Sequence, residues 1–276
     1  MRKALFRSEN IEVVKVSGGH TDVVFVTFEP KLLVRPPERS GFGEAFFAKR
    51  GYTAYHVRCR GNDWYHYPDM EAGLAALRAD IPPATRVVLY GSSMGGYAAL
   101  RFSNWLRADA VIALAPQASV DPTRVGWEKR WAPETSVLIW DRLPPHPNAA
   151  CYVVYDPFDA DRRHVAILRR EAALVPLHSY FSGHHVTEYL MESGLLESLL
   201  VSVARGEFDP PAWQAELWRR RLMTSYYSVI RLRKCRTLLR RWRYDLIERW
   251  LDLRYRRVAA RRPLAALPLE AVPRGD

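Results

Sequence analysis

The chain has 276 residues, 48% of them hydrophobic and 26% charged, with 15 glycines and 3 cysteines. That composition excludes a wholly disordered chain, a collagen-like repeat and a disulfide scaffold, and the length accommodates one large domain or one domain with an appendage. Cys59, Cys151 and Cys235 are far apart and lack C-x-x-C spacing. Neither a structural zinc site nor a disulfide framework is therefore expected, and a reducing compartment is the default. The start Met1–Asn10 carries basic residues without an apolar core, and no apolar run approaches the roughly 18 residues of a membrane span. The expectation is a cytoplasmic protein, at most peripheral to a membrane, with no metal or cofactor.

The net charge of +11 is unevenly spread. From Arg205 to the end there are 18 basic and 8 acidic residues, a net of +10, whereas residues 1–204 hold 23 and 22, a net of +1. A nearly neutral body precedes a strongly basic tail, so any argument about a polyanion or an anionic membrane rests on the tail.

Short apolar strands alternate with helical patterns through the body, which predicts an α/β fold: a mostly parallel sheet with helices on both faces. Strands are expected at Ile11–Val16, Thr21–Phe28, Thr53–Cys59, Arg86–Tyr90, Ala108–Ala115, Ala150–Tyr155 and Val175–Phe181. Helices are expected at Phe42–Lys49, with Gly51 closing it, and at Asp69–Ala79, Met94–Leu106, Arg162–Ala173 and Val186–Ala204. Periodicity fades over 117–148, where Trp127, Trp131 and Trp140 lie among prolines, so this stretch is a candidate lid. Gly206–Pro211 is a breaker cluster, which places a boundary between a domain at 1–205 and a basic helical extension at 206–276.

Gly91-Ser92-Ser93-Met94-Gly95 fits G-x-S-x-G directly between an apolar strand and a helix. A sharp strand-to-helix turn there would place the Ser93 hydroxyl at a helix N-terminus. Strand and helix would collide with side chains two positions either side, hence glycine at both. The Met94 N–H and the helix dipole would favour an oxyanion at that spot. A phosphate-binding loop is excluded because the lysine of G-x-x-x-x-G-K-[ST] is missing. A plain glycine-rich turn is the unreactive alternative.

On these residues the chain resembles α/β-hydrolase-fold proteins over about residues 20–204. The resemblance implies partners in the order serine, acid, histidine. Gly183-His184 lies in the loop after the last strand, so His184 is the implied general base, with His185 its neighbour and His178 a strand histidine as competitors. The loop after Tyr155 offers Asp156, Asp159 and Asp161. Asp156 can form an Asx turn with Pro157, Asp159 has the offset usual for the fold's acid, and Asp161 can cap the helix or serve as the acid. Many relatives carry His-Gly in the loop after the Thr21–Phe28 strand, whereas this chain departs from them with Thr27-Phe28-Glu29-Pro30; a backbone N–H suffices, so the second oxyanion donor falls to Phe28 or Glu29, Pro30 having no N–H. The loop Arg58–Trp64 resembles the R-G-x-G stretch bordering the site, which makes Asn62 and Trp64 either substrate contacts or a packed turn.

In the tail, Val229, Leu232, Cys235, Leu239, Trp242, Leu246, Trp250 and Leu253 recur at gaps of three and four, one face of a helix or of two helices, with arginines on the other faces. That pattern suits packing on the body or on a second copy (a homo-oligomer), an anionic membrane surface, or another polyanion. The function expected is a serine hydrolase acting on a small-molecule, lipid or carbohydrate ester or a thioester. The alternatives are an acyltransferase with the same triad and a non-catalytic binding or assembly protein. If the catalytic part ends at Ala204, the tail is dispensable for ester turnover.

Overall fold

The computed structural model describes residues 1–36, 38–131, 137–262 and 264. Eight strands form one sheet: β1 (Arg2–Arg7), β2 (Ile11–Val16), β3 (Val23–Phe28), β4 (Thr53–Cys59), β5 (Arg86–Ser92), β6 (Ala110–Leu114), β7 (Ala150–Tyr155) and β8 (Leu174–His178). Their order is β1-β2-β4-β3-β5-β6-β7-β8. The pairs β4–β3, β3–β5, β5–β6 and β6–β7 are parallel, and β2 runs antiparallel to both β1 and β4. Every residue of β3, β4 and β6 is buried. A parallel strand covered on both faces reads as a continuous apolar run, and this is why these strands were legible. Strand β1 was not foreseen: it is an edge strand, mostly exposed, and so carries no apolar alternation.

Helices α1 (Glu44–Lys49), α2 (Met70–Asp80) and α3 (Met94–Arg101) connect the parallel strands. The chain moves outward from β3 to β4, then crosses back over β3 to β5 and continues to β6. With right-handed crossovers, that reversal puts α1 on one face and α2 and α3 on the other. It also makes the gap between β3 and β5 a topological switch point, where the loops after these strands leave in opposite directions and open a crevice. Phe28, last in β3, lies in register with Gly91 of β5.

By internal compactness the described chain falls into two units, residues 1–154 with 160–176, and residues 155–159 with 177 onward. The first unit also holds α4 (Pro122–Val125) and α5 (Asp161–Glu171). Its 117–148 stretch is knitted in by side chains. The Trp140 indole N–H donates to the Tyr67 carbonyl at 3.0 Å, and Asp141 pairs with Arg124 and accepts from the Ser119 hydroxyl at 2.8 Å. Residues 132–136 of the candidate lid lie outside the described residues.

The second unit contains α6 (Val186–Glu192), α7 (Leu196–Arg205), α8 (Pro210–Arg220), a 3₁₀ turn at Arg221–Met223, α9 (Ser225–Lys234) and α10 (Leu238–Arg261). The single closing helix expected at Val186–Ala204 is two helices. Gly194 takes φ +67°, and the Leu195 N–H reaches back to the Leu190 carbonyl at 3.0 Å, a Schellman ending that needs glycine. The apolar stripe expected on one helix or two runs over α9 and α10, with α8 before them, and Asp209, Thr224 and Thr237 each cap an N-terminus through the side chain. Most of that stripe is not buried within the described chain. Leu232, Leu239, Trp242, Trp250 and Leu253 are exposed, while α8–α10 pack through Trp213, Leu217, Trp218, Tyr227, Leu251 and Tyr255. Tyr180–Trp218 and Phe181–Tyr227 ring contacts, at 5.4 and 5.3 Å, tie these helices to the segment after β8.

Candidate active site

Ser93 joins β5 to α3 with φ +53° and ψ −117°, a region that side chains with a Cβ rarely occupy. The turn is that sharp because its neighbours are glycines. A Cβ on Gly91 would stand 2.2 Å from the Gly95 carbonyl oxygen, and one on Gly95 would stand 2.2 Å from the Phe28 carbonyl oxygen. The same contact brings the first turn of α3 against the Phe28–Glu29 peptide. The two loops of the switch-point crevice thus meet at Ser93, with the buried Met94 opening the helix. The Ser93 N–H donates to the Leu114 carbonyl at 2.8 Å, which locks the strained residue to β6.

Glu29 itself turns its carboxylate away from this point. It is buried, bonded by Arg39 at 2.7 and 2.8 Å and by the Cys59 N–H at 3.2 Å, so only its backbone remains a candidate oxyanion donor. Asn62 holds the loop after β3, its amide accepting from the Leu32 N–H at 3.1 Å and donating to the Leu32 carbonyl at 3.0 Å. Trp64 is fully buried, and its indole N–H donates to Gln117 Oε1 at 3.1 Å. For both residues the observed contacts are those of the packed turn. The Gln117 amide in turn reaches Ser93 Oγ at 3.4 Å and the Ala115 carbonyl at 3.4 Å. Sequence reasoning missed Gln117, whose only signal was its position just past the strand neighbouring the elbow.

Asp161 opens α5 fully buried, and Arg130 donates to it at 2.7 Å and to Glu128 at 2.6 Å. His164 completes the cluster, its Nε2 3.1 Å from Glu128 and its Nδ1 accepting the Ala118 N–H at 3.2 Å. Burial pushes the His164 pKa down. Burial would raise the Glu128 carboxyl, but the hydrogen bonds and charge of Arg130 bring it down to about 2.

In the second unit the Asp156 carboxylate accepts the Phe158 N–H at 2.8 Å, the Asx turn, and the Gly183 N–H at 2.9 Å. It thereby ties the loop after β7 to the residue that precedes His184. Complete burial pushes its pKa up to about 7, against the two amide hydrogen bonds. Gly183 takes φ +59°, which glycine adopts without strain. His184 is half-buried. His185 is exposed and stacks on Tyr226, ring centroids 5.0 Å apart. His178 sits between the hydroxyls of Tyr155 and Tyr180, at 3.3 and 3.1 Å. Asp159 donates its N–H to the Asp156 carbonyl at 3.1 Å. Its carboxylate lies 3.9 Å from Lys234 Nζ, which donates to the Phe158 carbonyl at 2.7 Å. Sequence reasoning read Lys234 only as one of the tail's many cations. Among the described residues no group of three or more His, Cys, Asp or Glu side chains is arranged to hold a metal ion.

No protein-family model matches the chain, and no curated protein matches it. In structure it is similar to the capsule O-acetyltransferase of Neisseria meningitidis serogroup A, at 14% identity and a TM-score of 0.47 over 67% of this chain and 91% of that one. It is similar too to alpha/beta hydrolase domain-containing protein 10 from mouse, at 14% identity and a TM-score of 0.49, covering 74% and 96%. A third similar structure is Est1E from Butyrivibrio proteoclasticus, at 13% identity and a TM-score of 0.46, covering 74% and 99%. The strand order with its reversal at β4, the antiparallel β2 and the strained serine between β5 and α3 together give this chain the α/β-hydrolase fold.

Proposed function

We propose that the protein is a serine acyl hydrolase acting on an ester or thioester, with Ser93 as nucleophile, His184 as general base and Asp159 as the acid that orients it. The observation that carries this reading is the Ser93 backbone, held at φ +53° by glycines that let β5, α3 and the Phe28–Glu29 loop close around it. A structural turn gains nothing from such strain, whereas a nucleophile gains presentation at a helix N-terminus inside the switch-point crevice. Asp161 is the weaker candidate for the acid because Arg130 already compensates its charge. Asp159 follows β7 in a loop that Asp156 and Lys234 brace, within the unit that carries His184.

In this mechanism Ser93 Oγ forms a bond to the acyl carbon as His184 takes its proton. The oxyanion is met by the Met94 N–H and by a backbone N–H of Phe28 or Glu29. The tetrahedral centre collapses, the bond to the leaving alcohol or thiol breaks, and His184 returns the proton to it. Water, deprotonated by His184, then releases the acid and restores Ser93. A fluorophosphonate probe tests the reading. It should label the folded protein, and Ser93→Ala should abolish the label and lower ester turnover by on the order of 10⁴. Labelling that persists in Ser93→Ala, or retention of more than about a tenth of the turnover, would overturn the nucleophile assignment.

A further inference from the structure

Helix α10 presents two apolar faces. At about 100° per residue, Leu251 and Tyr255 mark the inward face, and both are buried. Leu239, Trp242, Leu246, Trp250 and Leu253 fall within about 80° of one another on the roughly opposite side, all exposed, Trp242 at 63% and Trp250 at 56%. Exposed arginines border this sector on both edges, Arg249 and Arg256 on one and Arg243 and Arg254 on the other. The helix carries 8 arginines and 3 acidic residues, and the acids are already engaged. Asp245 and Glu248 pair with Arg231 of α9, and Asp252 accepts from Trp218 at 2.8 Å and Arg221 at 3.1 Å. Where α9 meets α10, Lys234, Arg240, Arg243 and Tyr244 line a cleft of about 310 Å³.

We propose that α10 docks this face on an anionic membrane surface, its leucines and tryptophans in the headgroup–acyl boundary and its bordering arginines against lipid phosphates. Charge complementarity selects this occupant. A second copy of the same face would set arginine against arginine, since the carboxylates of α10 lie outside the sector and are paired. A lipid surface supplies an apolar layer and a layer of anions at the spacing one amphipathic helix needs. Tryptophan at the edge of such a sector, with Arg254 over the Trp250 ring at 5.3 Å, suits the interfacial zone, where one end of a side chain is apolar and the other wet. Among the described residues no helix is long and apolar enough to cross a membrane, so the contact is one of lying on the surface.

The test is co-sedimentation of the full-length protein with vesicles of phosphatidylcholine alone and of phosphatidylcholine mixed with phosphatidylglycerol. Binding is expected only to the acidic vesicles at low salt. It should be lost near 1 M salt, where the Debye length is about 3 Å. The double variant Trp242→Ser/Trp250→Ser should weaken binding by on the order of tenfold or more with an unchanged melting temperature, because both side chains are already exposed. Arg243→Glu/Arg249→Glu, one arginine from each border, should remove the preference for phosphatidylglycerol. Indifference of the wild-type protein to acidic vesicles at low salt would overturn the proposal. So would a solution dimer that the tryptophan variant dissociates, which would assign the face to a second copy. Heparin binding without vesicle binding would assign the arginines to a soluble polyanion and overturn it as well.

Discussion

The Ser93 hydroxyl, the Gln117 amide and the Trp64 indole form a chain of hydrogen bonds inside the first unit. Gln117 reaches the hydroxyl of Ser93, the proposed nucleophile, at the long end of hydrogen-bond range, so its contribution is that of one neutral bond, about 1 kcal/mol. Gln117→Ala should therefore slow ester turnover by about fivefold to tenfold while leaving fluorophosphonate labelling complete at long times. An unchanged kcat would show that the amide only braces the turn. The two adjacent histidines divide more sharply. His185 lies flat on Tyr226 at the surface, so His185→Ala should retain most of the activity and His184→Ala should lose it, as steady-state turnover of a model ester will show. Asp156 acts through the backbone it holds. Its pKa is raised from about 4 in the unfolded chain to about 7 in the folded one, so over that window the folded state binds the extra proton and stability falls as pH rises. Melting temperature measured at pH 5 and at pH 7.5 should show this loss for the wild type and a smaller one for Asp156→Asn.

Elements meet in this protein through buried charge as well as apolar contact. Arg130 holds the start of α5 to the segment after α4 by bridging Asp161 and Glu128, whose side chains are 0% and 2% exposed. Removing the cation would leave two buried carboxylates without the charge that joins them, so Arg130→Met should destabilise the protein by about 3 kcal/mol, read from denaturant unfolding. The carboxyl of Glu128 has a folded pKa of about 2 against about 4.3 when unfolded, so this contribution is present above pH 4.3 and is lost as pH falls towards 2. A wild-type acid transition that Glu128→Gln leaves in place would contradict that account. None of this cluster was legible as a cluster: Glu128, Arg130, Asp161 and His164 lie up to 36 residues apart and only the fold gathers them.

For the whole molecule, the segment after Gly206 is no detachable appendage. Trp213, Leu217, Trp218, Tyr227, Leu251 and Tyr255 are buried, and Lys234 and Tyr244 touch Phe158 beside Asp159. Truncation at 206 should therefore lower the melting temperature and cost most of the ester turnover proposed for Ser93, the opposite of what the end of the hydrolase-like segment at Ala204 implies. Each large side chain withdrawn from water contributes roughly 1.5–3 kcal/mol, so losing six is comparable to the whole stability of an ordinary domain, roughly 5–15 kcal/mol. A truncated protein with wild-type melting and turnover would refute the buried role of these helices.

The sequence by itself determined the sheet strands other than β1 and the serine turn, because each is written in local chemistry. Strands covered on both faces must be continuously apolar, and a sharp strand-to-helix turn must flank its serine with glycine. Tertiary structure alone decided the roles of Gln117, Asp156 and Lys234, because a polar side chain acquires its partner from a distant segment that carries no local mark. It also decided which way α10 faces. A helix with Leu251 and Tyr255 on one side and Trp242, Leu246 and Trp250 on the other shows two apolar faces in its periodicity, and only packing against α8 selects the face that is buried.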